Sequence, residues 1–401
     1  MSDYREKGIY LDHAATTAVD PRVVEVMLPY WTEQYGNPSS IYSKGREAAK
    51  ALNVARESVA SILGAEPREI IFTSCGTESD NLAIRGVAFA RRQAGKGNHI
   101  ITSPIEHHAV GHTVEQLVKR FGFEATEVPV DRYGWVDPAA VADAIRPDTA
   151  LISIMYANNE VGTIEPIAEI GAIARAKGIP FHTDAVQAGG ALPLNVKSLN
   201  VDLMSLSAHK FYGPKGVGLL YVRKGVPLWP MQTGGSQEGN RRAGTENVAF
   251  IVGMAKALEL ATAEMAENNR RIAALRDRLV AGVLKRIPEA ELTGHPTQRL
   301  PNSASFVIRY VEGEAMLLNL DMAGVWASSG SACTSASLSP SHVLIAMGYP
   351  PEVAHGSLRL TLGRENTAEE MDYVVETLAG IVERLRAMSP LYNPTGQSCK
   401  A

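Results

Sequence analysis

A lysine that stands between an apolar run and a glycine-rich turn is the first candidate for chemistry in this sequence. The run 201–207 has the length and composition of a mostly buried strand, so Lys210 is expected at its end, half out of water. A second apolar run, 178–183, brings Asp184 to what would be the same edge of a sheet. Pyridoxal phosphate uses a lysine for its Schiff base and a carboxylate for its ring nitrogen. The two strand ends therefore predict a pyridoxal phosphate site.

A phosphate seat is predicted where segment 73–79 follows a strand and opens a helix, because a helix N-terminus offers free N–H groups to an anion. An ordinary strand-to-helix turn capped by Thr77 explains this segment equally well. Ser207 and His209 flank Lys210 and could grip a phosphate from the opposite side with a hydroxyl and an imidazole.

Three further polar positions are candidates with structural alternatives. An amide of the Asn158–Asn159 turn, or Gln187, could bond the ring hydroxyl of a pyridoxal, although the asparagines could equally only shape the turn. One imidazole of the pair His107 and His108 could stack on the cofactor ring or shuttle protons. Taken singly, such a histidine is more often structural or solvated than catalytic.

A cysteine in a loop of small residues is the second candidate for chemistry. The stretch 327–337 is small and polar almost throughout and cannot pack a core, so it predicts an exposed loop. Cys333 lacks the apolar neighbours of a buried cysteine and is a candidate reactive thiol. The alternative is an exposed cysteine that a loop merely tolerates. Cys75 and Cys399 are given no catalytic role.

Bulk properties exclude several classes of protein. The 401 residues suggest two domains, and the net charge of −4 offers no stripe for binding a nucleic acid. The polar start and the lack of a long apolar stretch predict a cytoplasmic protein with no membrane partner. Three widely spaced cysteines argue against a disulfide framework or a structural zinc site.

Alternating helical and β-branched stretches from about residue 20 to 225 indicate an α/β domain with a mainly parallel sheet covered by helices on both faces. A long helical stretch, 245–287, is expected to bridge two domains, with Gly253 or the pair Asn268–Asn269 as possible interruptions. A smaller α+β domain follows. The predicted strands of the first domain are 70–73, 99–102, 151–155, 179–183, 203–207 and 217–222.

Several motifs in order make the chain resemble the cysteine desulfurases of the NifS/IscS family, among the fold type I pyridoxal phosphate enzymes. The resemblance covers nearly the whole length, and the ordered set is far more specific than any one motif. These motifs are 10–17, 36–40, 75–80, 158–160, 182–187, the segment around Lys210, 241–247 and the loop around Cys333.

The resemblance implies a large domain with a mainly parallel seven-stranded sheet at 15–260, and a small α+β domain from 1–14 and 261–401 that carries the cysteine loop at about 327–340. It implies a homodimer. In it, Lys210 forms the Schiff base, Asp184 pairs with the ring nitrogen and His107 stacks on the ring, while Arg359 forks the carboxylate of the substrate. The other residues implied are Gln187 and Asn159 near the ring oxygen and substrate, and Gly76, Thr77, Ser207, His209 and a partner subunit's Thr245 at the phosphate.

The implied reaction takes sulfur from L-cysteine, giving L-alanine and a persulfide on Cys333. An iron–sulfur scaffold protein of the IscU/NifU type is the implied acceptor, with Cys333 as a possible transient cluster ligand. The alternatives are a selenocysteine lyase or another fold type I enzyme such as an aminotransferase, with Cys333 incidental. A rival from another class is a sulfur or iron–sulfur carrier without a cofactor.

Overall fold

The computed structural model describes residues 4–330, 339–389 and 392. Within these ranges the strands are β1 (Ile9–Tyr10), β2 (Ile70–Thr73), β3 (His99–Thr102), β4 (Glu124–Glu127), β5 (Thr149–Ser153), β6 (Phe181–Asp184), β7 (Leu203–Ser207), β8 (Gly218–Val222), β9 (Ala290–Leu292), β10 (Ser303–Ile308), β11 (Val325–Trp326) and β12 (Ser357–Thr361). The α-helices are α1 (Tyr4–Lys7), α2 (Pro21–Met27), α3 (Pro29–Thr32), α4 (Ser43–Leu63), α5 (Gly76–Gln93), α6 (His108–Phe121), α7 (Pro138–Ala144), α8 (Ile167–Ala176), α9 (Gln237–Asn240), α10 (Val248–Ala263), α11 (Met265–Arg286), α12 (Gly313–Met322), α13 (His342–Ala346), α14 (Pro351–Ala354) and α15 (Ala368–Met388).

A seven-stranded sheet in the order β2-β8-β7-β6-β5-β3-β4 forms the larger layer. All its pairings are parallel except those of β8, which runs antiparallel to β2 and to β7. All of its strands except β4 are buried at every residue, because helices pack apolar side chains on both faces. This confirms the predicted mainly parallel sheet and its two helical layers.

The predicted strands 70–73, 99–102 and 203–207 are found with those limits. Two others lie up to two residues away from the predicted positions, since β5 begins at Thr149 and β6 ends at Asp184. Strand β4 has no predicted counterpart, and the reason is physical. Its four residues lie at the sheet edge and are mostly exposed, so the sequence Glu-Ala-Thr-Glu lacks the apolar run that marks a buried strand.

The predicted long helix is interrupted, but at a different residue from those expected. Glu264, rather than Gly253 or Asn268, separates α10 from α11. Helix α10 packs on α4 and α2 of the larger unit, whereas α11 packs on α15 of the smaller one. The break thus lies where the chain passes from one unit to the other.

The smaller unit is an antiparallel sheet, β12-β10-β9, that shares a core with α11, α12 and α15. Strand β1 from the start of the chain pairs in parallel with β11 next to this core. The fold class is therefore confirmed as α/β with a smaller α+β domain. The exact domain limits, 15–260 and 1–14 with 261–401, stay a prediction. None of the described helices is both long and apolar enough to cross a membrane.

Substituting Phe306→Ala should lower the free energy of unfolding of the smaller unit by about 3–5 kcal/mol, because the ring is fully buried and its loss leaves a cavity. Urea unfolding followed by circular dichroism measures this. As a control, Leu318→Ala removes a side chain that is 61% exposed on α12 and should cost no more than about 0.5 kcal/mol. Equal losses for the two variants would contradict the packing described.

Candidate active site

Lys210 ends a short 3-10 turn, Ala208–Lys210, that directly follows β7. Its Nζ donates hydrogen bonds to the carbonyl oxygens of Ala14 and Ala15, at 2.5 and 2.9 Å. The amide of Gln187 also donates to the Ala14 oxygen, at 3.0 Å. The backbone near the start of the chain therefore passes beside the lysine and holds its amine.

The neighbouring His209 fixes the same N-terminal segment. Its Nδ1 lies 3.1 Å from the hydroxyl of Thr16, and its carbonyl oxygen accepts a hydrogen bond from the Thr17 amide. Burial lowers the pKa of His209 to about 4, and the charges of Lys210 and Lys215 add to the effect. A neutral imidazole is thus held next to Lys210.

Asp184 is the last residue of β6 and is buried. Its Oδ1 accepts a hydrogen bond from the amide of Val186 at 2.9 Å. Burial raises the pKa of this carboxyl to about 6, while the Val186 amide and the nearby Lys210 act in the opposite direction. The predicted juxtaposition of Asp184 and Lys210 at adjacent strand ends is present, since β6 and β7 pair in parallel.

His107 caps the start of α6, where its Nδ1 accepts a hydrogen bond from the Ala109 amide at 3.1 Å. Burial, followed by the charge of Lys210, lowers its pKa to about 4. The ring is therefore neutral at pH 7, with its proton on Nε2 because Nδ1 is an acceptor. Donor atoms of Asp80, His107 and Asp184 lie within 4.8 Å of one another. These groups suit either a pyridine ring or a divalent metal ion.

The start of α5 has the features expected of an anion seat. No acceptor within the described part of the chain is found for the N–H groups of Gly76 and Thr77. The hydroxyl of Ser207 is buried and has no hydrogen-bond partner in the same described ranges. A Cβ on Gly76 would lie 2.7 Å from a Val186 methyl group, so only glycine fits here. These unused donors fit a phosphate.

Arg359 lies on β12 of the smaller unit and is 4% exposed. Its Nη2 donates to Asp12 Oδ1 at 2.9 Å and its Nη1 to the carbonyl oxygen of Asn159 at 3.0 Å. Its Nε is buried without a partner among the described residues. The guanidinium thus lies where both units meet, beside Asn159, with donor capacity left for a carboxylate.

The described residues on both sides of the cysteine loop form hydrogen bonds with residues near Arg359. Ser328 and Arg359 exchange two backbone hydrogen bonds, at 3.2 and 2.7 Å. At the other side, the hydroxyl of Ser341 donates to Glu160, the residue after Asn159. Cys333 itself lies outside the described residues.

Thr245 is the predicted phosphate residue that would come from a partner subunit. It is exposed in the segment 241–247, which an ion pair between Arg242 and Glu78 ties to the first turn of α5 at 2.7 Å. The expectation that Thr245 serves a partner subunit's phosphate site stays a prediction.

Residues of the site were also missed by sequence reasoning. Asp80 adds a buried carboxylate next to Asp184, and Asp12 pairs with Arg359. Asp80 lies in motif 75–80 and Asp12 in motif 10–17, both of which carry the family resemblance. Membership of these motifs was the sequence signal that could have marked the two acids as site residues. Their partners, however, are far away in the sequence and only the fold reveals them.

Residues 9–374 of the chain match the model of the aminotransferase class-V family. The protein is therefore a member of that family. Its members imply pyridoxal phosphate as the cofactor. The Ser207 hydroxyl and the first N–H groups of α5, which have no partner among residues 4–330 and 339–389, fit such a group together with the Asp184 carboxylate, so the metal interpretation is not favoured.

Individual relatives and solved structures show which branch of this family the chain resembles. The chain is similar to a cysteine desulfurase IscS of Methanosarcina thermophila, with 60% identity over 96% of this chain and 94% of the relative. A solved NifS-like protein superposes with a TM-score of 0.88 at 41% identity, covering 94% of this chain and 100% of the other. A structure described as SspA in complex with cysteine gives 0.78 at 35% identity, covering 89% and 99%. Within the class-V family, the chain belongs to the cysteine desulfurases of the NifS/IscS type.

The His107 ring should stay neutral on titration down to about pH 5, because its pKa is lowered from 6.5 to about 4. The unfolded chain then binds this proton first on acidification. The buried, neutral His107 ring therefore contributes its full share to the free energy of unfolding above about pH 6.5, and this share is lost as the pH falls toward 4. NMR titration of the ring resonances, assigned by their loss in His107→Gln, measures this. A midpoint near 6.5 would contradict the burial of the ring.

Proposed function

We propose that this protein is a pyridoxal phosphate-dependent cysteine desulfurase that moves sulfur from L-cysteine to Cys333 and releases L-alanine. The observation that carries the proposal is the placement of the half-buried Lys210 and the buried Asp184 at adjacent strand ends, with the segment 12–15 bonded to both Lys210 and Arg359. The family supports the activity, since the curated relatives matched at 50–60% identity are named cysteine desulfurases. The alternatives, a selenocysteine lyase, another fold type I enzyme or a carrier without a cofactor, are not favoured by these relatives.

Residues of the larger unit would hold the cofactor. Lys210 would bind it covalently, Asp184 would pair with its ring nitrogen, and the flat neutral ring of His107 would stack on it. The phosphate would be held at the start of α5 by Gly76 and Thr77, with Ser207 and His209 opposite and Thr245 from the partner subunit. When bound, pyridoxal phosphate supplies an electron sink at the α-carbon of the substrate.

Arg359 would bind the α-carboxylate of L-cysteine. A guanidinium can offer two parallel N–H groups to a carboxylate, and the buried Nε of Arg359 has no other partner among the described residues. Asn159 and Gln187 lie near enough to this arginine and to Lys210, respectively, to orient the rest of the substrate. The similar SspA structure is a complex with cysteine, which supports the same substrate for this chain.

Proton transfer would fall to groups beside the substrate. The amine of Lys210, or the neutral imidazole of His107, would take the α-proton. The thiolate of Cys333 would then attack the substrate sulfur, so that a sulfur–sulfur bond forms while the carbon–sulfur bond breaks. The electrons of that bond stay with carbon, which takes up protons and leaves as alanine. The anchored residues Ser328 and Ser341 place both sides of the loop next to Arg359 and Glu160.

Partners and location belong to the same proposal. Residues 28–42 expose several large apolar side chains, including Trp31 at 50% and Ile41 at 89%, which supports a homodimer. The persulfide sulfur would pass to an iron–sulfur scaffold protein of the IscU/NifU type, where Cys333 would be a transient cluster ligand. A cytoplasmic location also stays part of the proposal.

Substituting Cys333→Ala should abolish the formation of alanine from L-cysteine, while the visible absorbance of the bound cofactor is kept. Removing the lysine instead, with Lys210→Ala, should remove that absorbance because the covalent link is lost. Alanine release and the mass of the Cys333 persulfide are measured together, and Cys399→Ala serves as the control thiol. Full turnover in Cys333→Ala would exclude the sulfur-transfer step proposed.

Substituting Arg359→Lys should raise KM for L-cysteine by about 10–100-fold, because a lysine cannot reproduce the two-pronged contact with a carboxylate. The surface exchange Arg286→Lys, whose partner Glu376 is exposed, is the matched control and should leave KM unchanged. Steady-state alanine assays measure both. An unchanged KM in Arg359→Lys would mean that the carboxylate binds elsewhere.

A further inference from the structure

Asp80 is a buried acid next to the cofactor site to which the mechanism above gives no part. It lies in α5 and is 1% exposed, and a carboxylate oxygen of Asp80 is within 4.8 Å of one on Asp184. Two buried carboxylates this close do not both ionise, because each charge disfavours the other. One of them must therefore carry a proton, and the surroundings decide which.

The surroundings of Asp184 favour its charged form. The Val186 amide donates to its Oδ1 at 2.9 Å, and the positive charge of Lys210 is close enough to act in the same direction. Both groups stabilise a carboxylate on Asp184 against the cost of burying it.

The surroundings of Asp80 disfavour its charge. Its Oδ1 has no hydrogen-bond partner among the described residues. The nearest basic group is His182, whose Nε2 is 3.6 Å away, but that ring is fully buried between Ser153 and Ser205 and its pKa is lowered to about 3. His182 is thus neutral and cannot neutralise a carboxylate.

Other groups that face Asp80 also make its negative charge less favourable than that of Asp184. Asp184 on β6, Glu106 before α6 and Cys75 at the start of α5 all oppose a negative charge on Asp80. Within the described ranges, the hydroxyl of Ser205 on β7 acts the other way. His107, the remaining titratable neighbour, is neutral.

We propose that Asp80 is protonated in the native enzyme and acts as a positioning residue that confines the negative charge of the pair to Asp184. The ring nitrogen of the cofactor would then face the charged member of the pair, Asp184, with Asp80 as a neutral neighbour. This inference rests on the proposed function for its consequence at the cofactor, but the protonation of Asp80 is a property of the polypeptide itself.

The test uses the full-length enzyme and its Asp80→Asn variant, in which the amide imitates a protonated carboxyl. Infrared spectroscopy at pH 7 should show a protonated-carboxyl band that Asp80→Asn removes, and Glu106→Gln serves to assign the separate contribution of that buried acid. The pH midpoint of the visible cofactor absorbance should move by less than about 0.5 units in Asp80→Asn. Were Asp80 ionised, losing its charge would move that midpoint by about 1 unit or more, and no band would be lost.

A second variant keeps the test decisive if Asp80→Asn does not fold. In Asp184→Asn the repulsion is gone, so the infrared band of Asp80 should titrate at a pH lower by about 1 unit or more. An unchanged midpoint would overturn the pairing. Neither infrared measurement depends on turnover, so loss of alanine formation tests the proposed function and loss of the band tests Asp80.

Discussion

The short segment from Asp12 to Asp20 is the constraint on which the site depends. Its carbonyl oxygens hold the Lys210 amine, its Asp12 holds Arg359, and its Asp20 pairs with Arg364 at 2.6 Å. The first of these partners belongs to the larger unit and the other two to the smaller one. A single stretch of backbone therefore links the lysine and the arginine, and the proposed function requires that distance to suit one small substrate.

Burial of ionisable groups is the second physical theme, and it acts in opposite directions on acids and bases. It raises the pKa of Asp184 to about 6 and of Glu106 to about 8, while it lowers the pKa of His107 and His209 to about 4. Acids thus become easier to protonate and imidazoles stay neutral. Near Lys210 the two imidazoles thus add no positive charge, while Arg359 is paired with the carboxylate of Asp12 at 2.9 Å.

Much of this arrangement could be predicted from the sequence, and the limits have clear causes. Buried strands such as β7 carry continuous apolar runs, which is why Lys210 and Asp184 could be placed at adjacent strand ends. The exposed edge strand β4 has no such signal. Contacts such as that of Asp12 with Arg359 join residues 347 positions apart, and no local pattern encodes them. The sequence likewise predicts the helix break at the wrong residue, because glycine and asparagine are stronger local signals than the packing change between two units that occurs at Glu264.

The chain is anchored on both sides of Cys333, at the arginine proposed to bind the substrate carboxylate. Ser328 is hydrogen-bonded through its backbone to Arg359 itself, and Ser341 is bonded to Glu160, one residue from Asn159. Twelve residues lie between these two serines. The length of chain on either side limits how far any residue between them can lie from the two anchors. A thiol at position 333 is five residues from the nearer anchor, about 17 Å at full extension. Under the proposed function, this length of chain would let the thiol of Cys333 approach a substrate bound at Arg359.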